Sequence, residues 1–227
     1  MNLFYTPPEQ VQEKTLNLSG DEARHAVKVL RFKVGDAIFV TDGAGSRYEG
    51  RIEVAGKNKL QVSILHKHST PKPAELVLVL GLLKNRQRLE FAIEKAVELG
   101  CIKIILFKSD HSERGKVNLE RLQAIAVSAM KQSLRNYLPD VQLRDSLGDA
   151  IKGFNDHTLI TAHEKQKKEA PTFFELNKNH LALVGPEGGF SDDEIRLMEK
   201  SKGRTISLGD YRLRTETAVV ALLSRFY

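Results

Sequence analysis

Residues 181–195 read LALVGPEGGFSDDEI. An apolar run stops at Gly185-Pro186-Glu187-Gly188-Gly189 and restarts as a helix, because Ser191 and Glu194 stand at the spacing of a capping box, in which each side chain satisfies the other's backbone N–H. Strand, glycine turn and helix start make the repeating unit of open α/β sheets, where ligands bind at the carboxyl ends of the strands. Gly185, Gly188 and Gly189 lack a Cβ, so they permit positive φ and let backbone groups approach a flat ligand such as an adenine or a nucleoside. A plain chain reversal explains the same glycines equally well. The loop is neither G-x-G-x-x-G nor G-x-x-x-x-G-K-[ST], which disfavours a phosphate grip.

Upstream and downstream, the pattern repeats. Apolar strands are expected near 76–82, 101–107, 141–143, 158–162, 181–184 and 205–208, separated mostly by helical segments, the signature of a parallel α/β sheet. One helix, 87–99, carries Leu89, Ile93, Ala96 and Val97 on one side and stops at Gly100, and Asn118 caps another with Leu122, Ile125, Ala126, Ala129 and Met130 inside. A second strand-to-helix loop follows at 206–218, ISLGDYRLRTETA. Thr215 is a reasonable N-cap, placing Glu216 in the first turn, where an acid suits the helix dipole. Arg214 would stand just before a helix that reads as buried, and a guanidinium there needs a carboxylate, phosphate or ligand partner. The last helix, with Ala218 to Leu223 apolar on every side, must be covered by its own domain or by a partner subunit, as in a homodimer.

The first 70 residues read differently. Short alternating strands such as 37–41 and 52–54, with a turn at Asp42-Gly43, suggest a small barrel, interrupted by a helix near Asp21 that carries Ala23, Ala26, Val27 and Leu30. Pro71 and Pro73 stiffen a short linker, so the expected division is 1–70 and 74–227. With 41% hydrophobic and 28% charged residues in a chain of 227, a real core is affordable and disorder is not expected. No apolar run is long enough to span a bilayer and the first residues lack a signal-peptide pattern, so a cytoplasmic protein with no membrane partner is expected. Cys101 reads as a buried strand residue. A net charge of +6 favours a polyanionic partner such as nucleic acid. His66, His68 and His163 lie in polar segments without a third ligand at a fitting spacing, and no metal is expected.

Together, GPEGGFSDDE and LGDYRLRTETA resemble the paired signatures of the bacterial 16S ribosomal RNA uridine-N3 methyltransferase family, a branch of the SPOUT class. Similarity extends along nearly the whole chain: HAVKVLR at 25–31 with Gly35-Asp36, EKAVELG at 94–100, and KQSLR at 131–135 followed by Leu138-Pro139 each resemble family segments. The second signature commonly reads Leu-Gly-x-Arg-Ile-Leu-Arg, and this chain departs from it at Tyr211 and Arg212.

The resemblance implies a PUA-like β-barrel at the amino end, a SPOUT domain whose carboxyl segment is threaded as a trefoil knot, S-adenosylmethionine as cofactor, a homodimer, and ribosomal RNA or the small ribosomal subunit as partner. It implies methyl transfer to N3 of a uridine, during which the base becomes a delocalised anion that a fixed cation stabilises. Arg214 is the first candidate; Glu216 would orient it or accept the proton, although its place in the helix cap is the simpler explanation. Cofactor contacts fall on Ala162 and His163, on Gly185, Glu187, Gly188 and Gly189, and on Leu208, Gly209 and Leu213, with Leu208 and Leu213 read either as an adenine sandwich or as ordinary core. RNA contacts fall on Arg24, Lys28 and Arg31, whose spacing puts them on one helix face, on Lys84, Arg86 and Arg88, and on Lys131, Gln132 and Arg135. The charged run 163–169 reads as a solvated loop or a lid. Two alternatives stand beside this reading: a non-catalytic RNA-binding assembly factor, and a methyltransferase acting on another RNA or position.

Overall fold

Alternating apolar and polar positions in the first third of the chain become strands with one buried face. The computed structural model describes residues 2–112, 117–163, 173–175, 177–201 and 203–226. Their contacts divide the chain into two units, Met1–Lys72 with Met130–Leu138, and Pro73–Ala129 with Pro139–Tyr227.

The first unit holds β1 (Leu3–Tyr5), β2 (Thr15–Ser19), α1 (Gly20–Arg24), β3 (Ala37–Thr41), β4 (Ser46–Ala55) and β5 (Lys59–Ser69). They form one sheet in the order β1-β3-β4-β5-β2, in which β1 and β3 are parallel and the other pairs antiparallel. Phe4, Leu16, Leu18, Ile38, Val40, Ile52, Leu60 and Val62 point into one core with Ala23 and Ala26. The turn from β3 to β4 is built around Asp42, which accepts from Ala44 N (2.8 Å), Ser46 N (3.0 Å) and Tyr48 OH (3.0 Å). Met130–Leu138 joins this unit through Leu138 N to Gly43 O and Gly45 N to Asn136 O, both 2.8 Å.

The expected helix near Asp21 is present but does not stay α-helical. After Arg24 the chain widens into a π-helical turn, His25–Val29, closed by Leu30 N donating to His25 O at 3.1 Å, and Arg31 leaves it at φ 59°. The apolar face survives: Ala23 and Ala26 are buried, and Val27 and Leu30 pack against them.

The second unit is α/β, as its alternating pattern predicts. Its strands are β6 (Leu76–Gly81), β7 (Lys103–Phe107), β8 (Asp140–Arg144), β9 (Thr158–Ala162), β10 (His180–Val184) and β11 (Arg204–Ile206), all parallel, in the order β11-β9-β10-β6-β7-β8. Every residue of β6 and β10 is buried, which is what a parallel strand covered on both faces demands. The helices are α2 (Arg86–Glu98), α3 (Leu119–Gln132), α4 (Leu147–Ile151), α5 (Asp192–Lys200) and α6 (Thr215–Leu223). Asn85 and Asn118 cap α2 and α3, accepting from Arg88 N (3.2 Å) and Arg121 N (2.9 Å). The chain leaves α2 through paired bonds from Gly100 N to Val97 O and Cys101 N to Ala96 O, the geometry of a glycine-terminated helix. Cys101 is buried as expected, but in this turn and not in a strand.

The strand order positions the site. β6, β7 and β8 run outward in sequence, then the chain returns to the far side with β9, and β10 fills the slot between β9 and β6. Reversals of this kind leave a crevice at the carboxyl ends of the strands. α6 comes back from the edge strand β11 to pack on α2 and β10. Val219, Leu222 and Leu223 are buried, whereas Thr217 is exposed and Ala218, Val220 and Ala221 are half-exposed, so the unit itself covers one side of this helix.

Candidate active site

The loop after β10 crosses the end of β6, and glycine makes the crossing possible. A Cβ on Gly81 would lie 2.5 Å from Pro186 Cδ and 2.6 Å from Pro186 N, so no other residue fits there without moving backbone. The loop turns with Gly189 N donating to Pro186 O (3.0 Å), and Gly189 takes φ 75°. Gly185 and Gly188, expected to use the same freedom, do not have positive φ; Gly188 is needed because a Cβ would sit 2.9 Å from His111 Cβ.

The capping box forms as read. Ser191 Oγ accepts from Glu194 N (3.2 Å) and Glu194 Oε2 accepts from Ser191 N (2.8 Å). Glu194 is buried and its Oε2 also accepts from Ser109 Oγ at 2.9 Å, while Ser191 Oγ donates to Asp110 Oδ2 at 2.6 Å. These bonds fasten the segment after β7 to the start of α5.

The second loop starts two residues earlier than expected, since β11 ends at Ile206. Ser207 Oγ both donates to Gly209 O (3.2 Å) and accepts from Gly209 N (3.3 Å), and Gly209 takes φ 137°. The N-cap of α6 is Arg214, not Thr215, with Ala218 N donating to Arg214 O at 2.8 Å; Thr215 is the first helical residue and Glu216 lies in the first turn.

Between the two loops lies a cleft of about 780 Å³. Ala162, Gly185, Glu187, Gly188, Gly189, Leu208, Gly209 and Leu213 all line it, as do His163 at the end of β9 and Arg214. His163 N donates to Ile206 O at 3.1 Å, tying the ends of β9 and β11 together. Arg214 is exposed, and among the described residues no carboxylate pairs with it. Of the partners expected for a guanidinium before a buried helix, a carboxylate, a phosphate or a ligand, the structure leaves room for a ligand, because the amino end of α6 opens onto the cleft.

Glu216 is placed differently. It does not line the cleft; its Oε1 lies 3.5 Å from Arg88 Nε, and its side chain is 12% exposed. Arg88, which sequence reasoning assigned to an RNA-binding cluster, is itself a lining residue. Asp192, Ile195 and Ala218 line it too and were missed; their place in the first turns of α5 and α6 was the available signal.

The basic residues divide between the two units. In the first, Arg24, Lys28 and Arg31 are exposed, but they do not form one stripe: the π-helical turn breaks the spacing, and Arg31 stands outside it. Arg24 pairs with Asp21, and the Lys131 ammonium pairs with Glu22. Gln132 is exposed and Arg135 half-buried. In the second, Lys84 N donates to Glu187 Oε2 (3.4 Å), and Arg86 Nε donates to Glu90 Oε1 at 2.7 Å. Glu90 also takes two bonds from Arg121, and these with the bond from Arg86 lower its carboxyl to about 2. Beyond His163 the run 164–169 lies outside the described residues. Among the described residues no group of three His, Cys, Asp or Glu is arranged to hold a metal, and no helix is long and apolar enough to cross a membrane.

Comparison with known proteins agrees with this geometry. A family model described as an RNA methyltransferase domain matches residues 70–227, and one described as an RNA methyltransferase PUA domain matches 18–65. The Ribosomal RNA small subunit methyltransferase E of Rickettsia conorii is 31% identical over 233 residues, covering 99% of this chain and 94% of its own. A probable rRNA-methyltransferase from Porphyromonas gingivalis superimposes with a TM-score of 0.84 at 32% identity, covering 99% and 96% of the two chains. A Ribosomal RNA small subunit methyltransferase E from Neisseria gonorrhoeae, solved bound to S-adenosyl methionine, does so with 0.81 at 28%, covering 99% and 95%. Alike from end to end and matched over most of its length by the catalytic-domain model, the chain belongs to the ribosomal RNA small subunit methyltransferase E family.

Proposed function

We propose that this protein methylates N3 of a uridine in 16S ribosomal RNA of the small subunit, using S-adenosylmethionine. The observation that carries the reading is the cleft itself: the loops that follow β10 and β11, the strands on either side of β9, enclose it, and Arg214, with which no carboxylate pairs among the described residues, lines it. Its volume falls within the roughly 300–1,000 Å³ of small-molecule sites. Its lining fits an adenosyl ligand, with backbone left accessible at Gly185 to Gly189 for polar contacts and with Leu208 and Leu213, both half-buried, for the faces of a purine. When bound, S-adenosylmethionine supplies a methyl group on a sulfonium. In the transfer the N3–H bond breaks and its proton leaves to water, the nitrogen pair forms the new N–C bond, and the C–S electrons stay on sulfur. Arg214 would donate to a carbonyl oxygen of the uracil as negative charge spreads over the ring, lowering the proton affinity of N3.

In the same reading, residues 1–70 are a PUA-like barrel that binds RNA and 74–227 a SPOUT methyltransferase domain, knotted where the chain returns from β11 to α6. Arg24, Lys28, Arg31, Gln132 and Arg135 contact RNA from the first unit, and Lys84 and Arg86 from the second. The protein works in the cytoplasm as a homodimer, in which the half-exposed side of α6 meets a partner subunit. The test is transfer of tritium from labelled S-adenosylmethionine into small subunits and naked 16S RNA from cells lacking this enzyme, followed by digestion to nucleosides. Label in N3-methyluridine is expected. Label in another nucleoside, or RNA binding with no label, would overturn the reading.

A further inference from the structure

Glu216 presents a problem that its place in a helix cap does not solve. Its side chain is only 12% exposed, and a carboxyl group so buried needs a cation or hydrogen-bond donors beside it. Its Oε2 is buried with no hydrogen-bond partner among the described residues, and its Oε1 meets the Nε edge of Arg88 at 3.5 Å. A guanidinium held by that edge keeps terminal N–H donors for another acceptor. Arg88 is 34% exposed and lines the cleft, so those donors have somewhere to go. Arg214 reaches the same cleft from the N-cap of the very turn that carries Glu216. One helix start therefore supplies one cation and the anchor for another.

We propose that Arg88 is a second cationic contact for the acceptor pyrimidine and that Glu216 is the residue that positions it. The proposal rests on the reading that the cleft transfers methyl to N3 of a uridine. That nitrogen is flanked by two carbonyl groups, O2 and O4, and the charge left by its proton is shared between them. Two guanidiniums on one cleft, drawn from α2 and from the start of α6, match two oxygens, one each. Glu216, held by Arg88 and shielded at its other oxygen, is the anchor and not the base.

Single-turnover methylation, measured from neutral to alkaline pH with saturating S-adenosylmethionine and the unmodified subunit as acceptor, tests this, alongside equilibrium binding of S-adenosylmethionine to each variant. Arg88→Ala should slow the step at neutral pH by roughly 10- to 100-fold, as loss of one donor to a developing oxyanion does. The deficit should shrink as pH rises, because uridine then ionises without help, and Arg88→Lys should recover part of the rate. Glu216→Gln should slow the step too, but add little on top of Arg88→Ala. His163, Glu187, Asp192, Asp210, Tyr211 and Arg212 also line the cleft and are kept in every variant, and Arg88→Lys, which keeps the charge, separates loss of the donor from a change in their surroundings. Weaker cofactor binding with an unchanged pH profile would overturn the proposal, assigning Arg88 to the cofactor's carboxylate instead. Independent, additive effects of the two substitutions would equally overturn the positioning role. Should Arg88→Ala not fold, Arg88→Lys and Glu216→Gln give the same comparisons. Absence of N3-methyluridine from the wild-type reaction is a different failure, that of the underlying reading.

Discussion

Gly81→Ala tests the architecture of the cleft at one atom. The new Cβ would meet Pro186 Cδ at 2.5 Å and Pro186 N at 2.6 Å, where ordinary contact begins at 3.4 Å, so the loop must retreat by about 0.9 Å. Neither atom is the tip of a flexible side chain, and Gly81 ends a strand buried throughout, so the strand cannot yield instead. Overpacking of this kind costs roughly 1–3 kcal/mol. At the middle of that range, and with ~2–4 °C per kcal/mol for a chain of this size, melting should fall by about 4–8 °C. The more telling effect is on ligand. A loop shifted by this much takes its backbone groups out of hydrogen-bond range, so affinity for S-adenosylmethionine, by calorimetry, should drop on the order of tenfold, the equivalent of one hydrogen bond of about 1.4 kcal/mol. Gly203→Ala is the control, since its Cβ would press on the Leu159 side chain, 2.8 Å from Cδ2, and not on the loop. It should lower melting and leave cofactor affinity alone. Wild-type affinity in Gly81→Ala, or equal loss in both variants, would refute the reasoning.

Other perturbations reach different parts of the structure. Glu194→Ala leaves Ser191 N and Ser109 Oγ without their acceptor and should cost about 2 kcal/mol, read by urea denaturation. Glu90 has a carboxyl lowered to about 2 by Arg121 and Arg86, so its contribution to stability is complete above the ordinary value of 4.5 and fades as pH falls from there towards 2; Glu90→Gln should flatten that limb of melting temperature against pH. Alanine at Lys28 and Arg31 should weaken RNA binding and reduce its log–log salt slope by about 1 per residue, with S-adenosylmethionine binding unchanged. Gly209→Ala meets no atom within 4 Å, but φ 137° would strain it by roughly 1–3 kcal/mol; the exposed loop relieves this by leaving that conformation, so cofactor affinity should drop while melting barely moves.

What the sequence discloses depends on how far apart the deciding residues lie. β6 and β10 are legible as unbroken apolar runs because a strand covered on both faces needs no alternation. The capping box at Ser191 and Glu194 is legible because its partners are three residues apart. The π-helical turn is not: Ala23, Ala26, Val27 and Leu30 keep a helical spacing, and one widened turn leaves their burial intact while it moves Arg31 off the helix. Nor is the insertion of β10 between β9 and β6, which long-range pairing decides. Arg88 illustrates the same limit within the cleft, since nothing near it in the chain announces Glu216, and only the packing of α6 on α2 brings them together.

The two walls of the cleft are built on opposite principles. The first loop is pinned, by Pro186 against Gly81, by Gly188 against His111, and by the bonds from Glu194 and Ser191 to the segment after β7. The second is open: residues 209–212 are exposed, and Tyr211 is 87% so. A pinned wall meets a ligand without ordering cost, whereas an open one must be ordered when the ligand arrives. That asymmetry accounts for where this chain departs from the family's usual signature. Tyr211 and Arg212 fall in the exposed span. Leu213 and Arg214, which fit the signature, stand where the chain is held, the first half-buried along the cleft and the second with its carbonyl committed to Ala218 N. The Arg214 guanidinium thus hangs from fixed backbone beside an exposed loop.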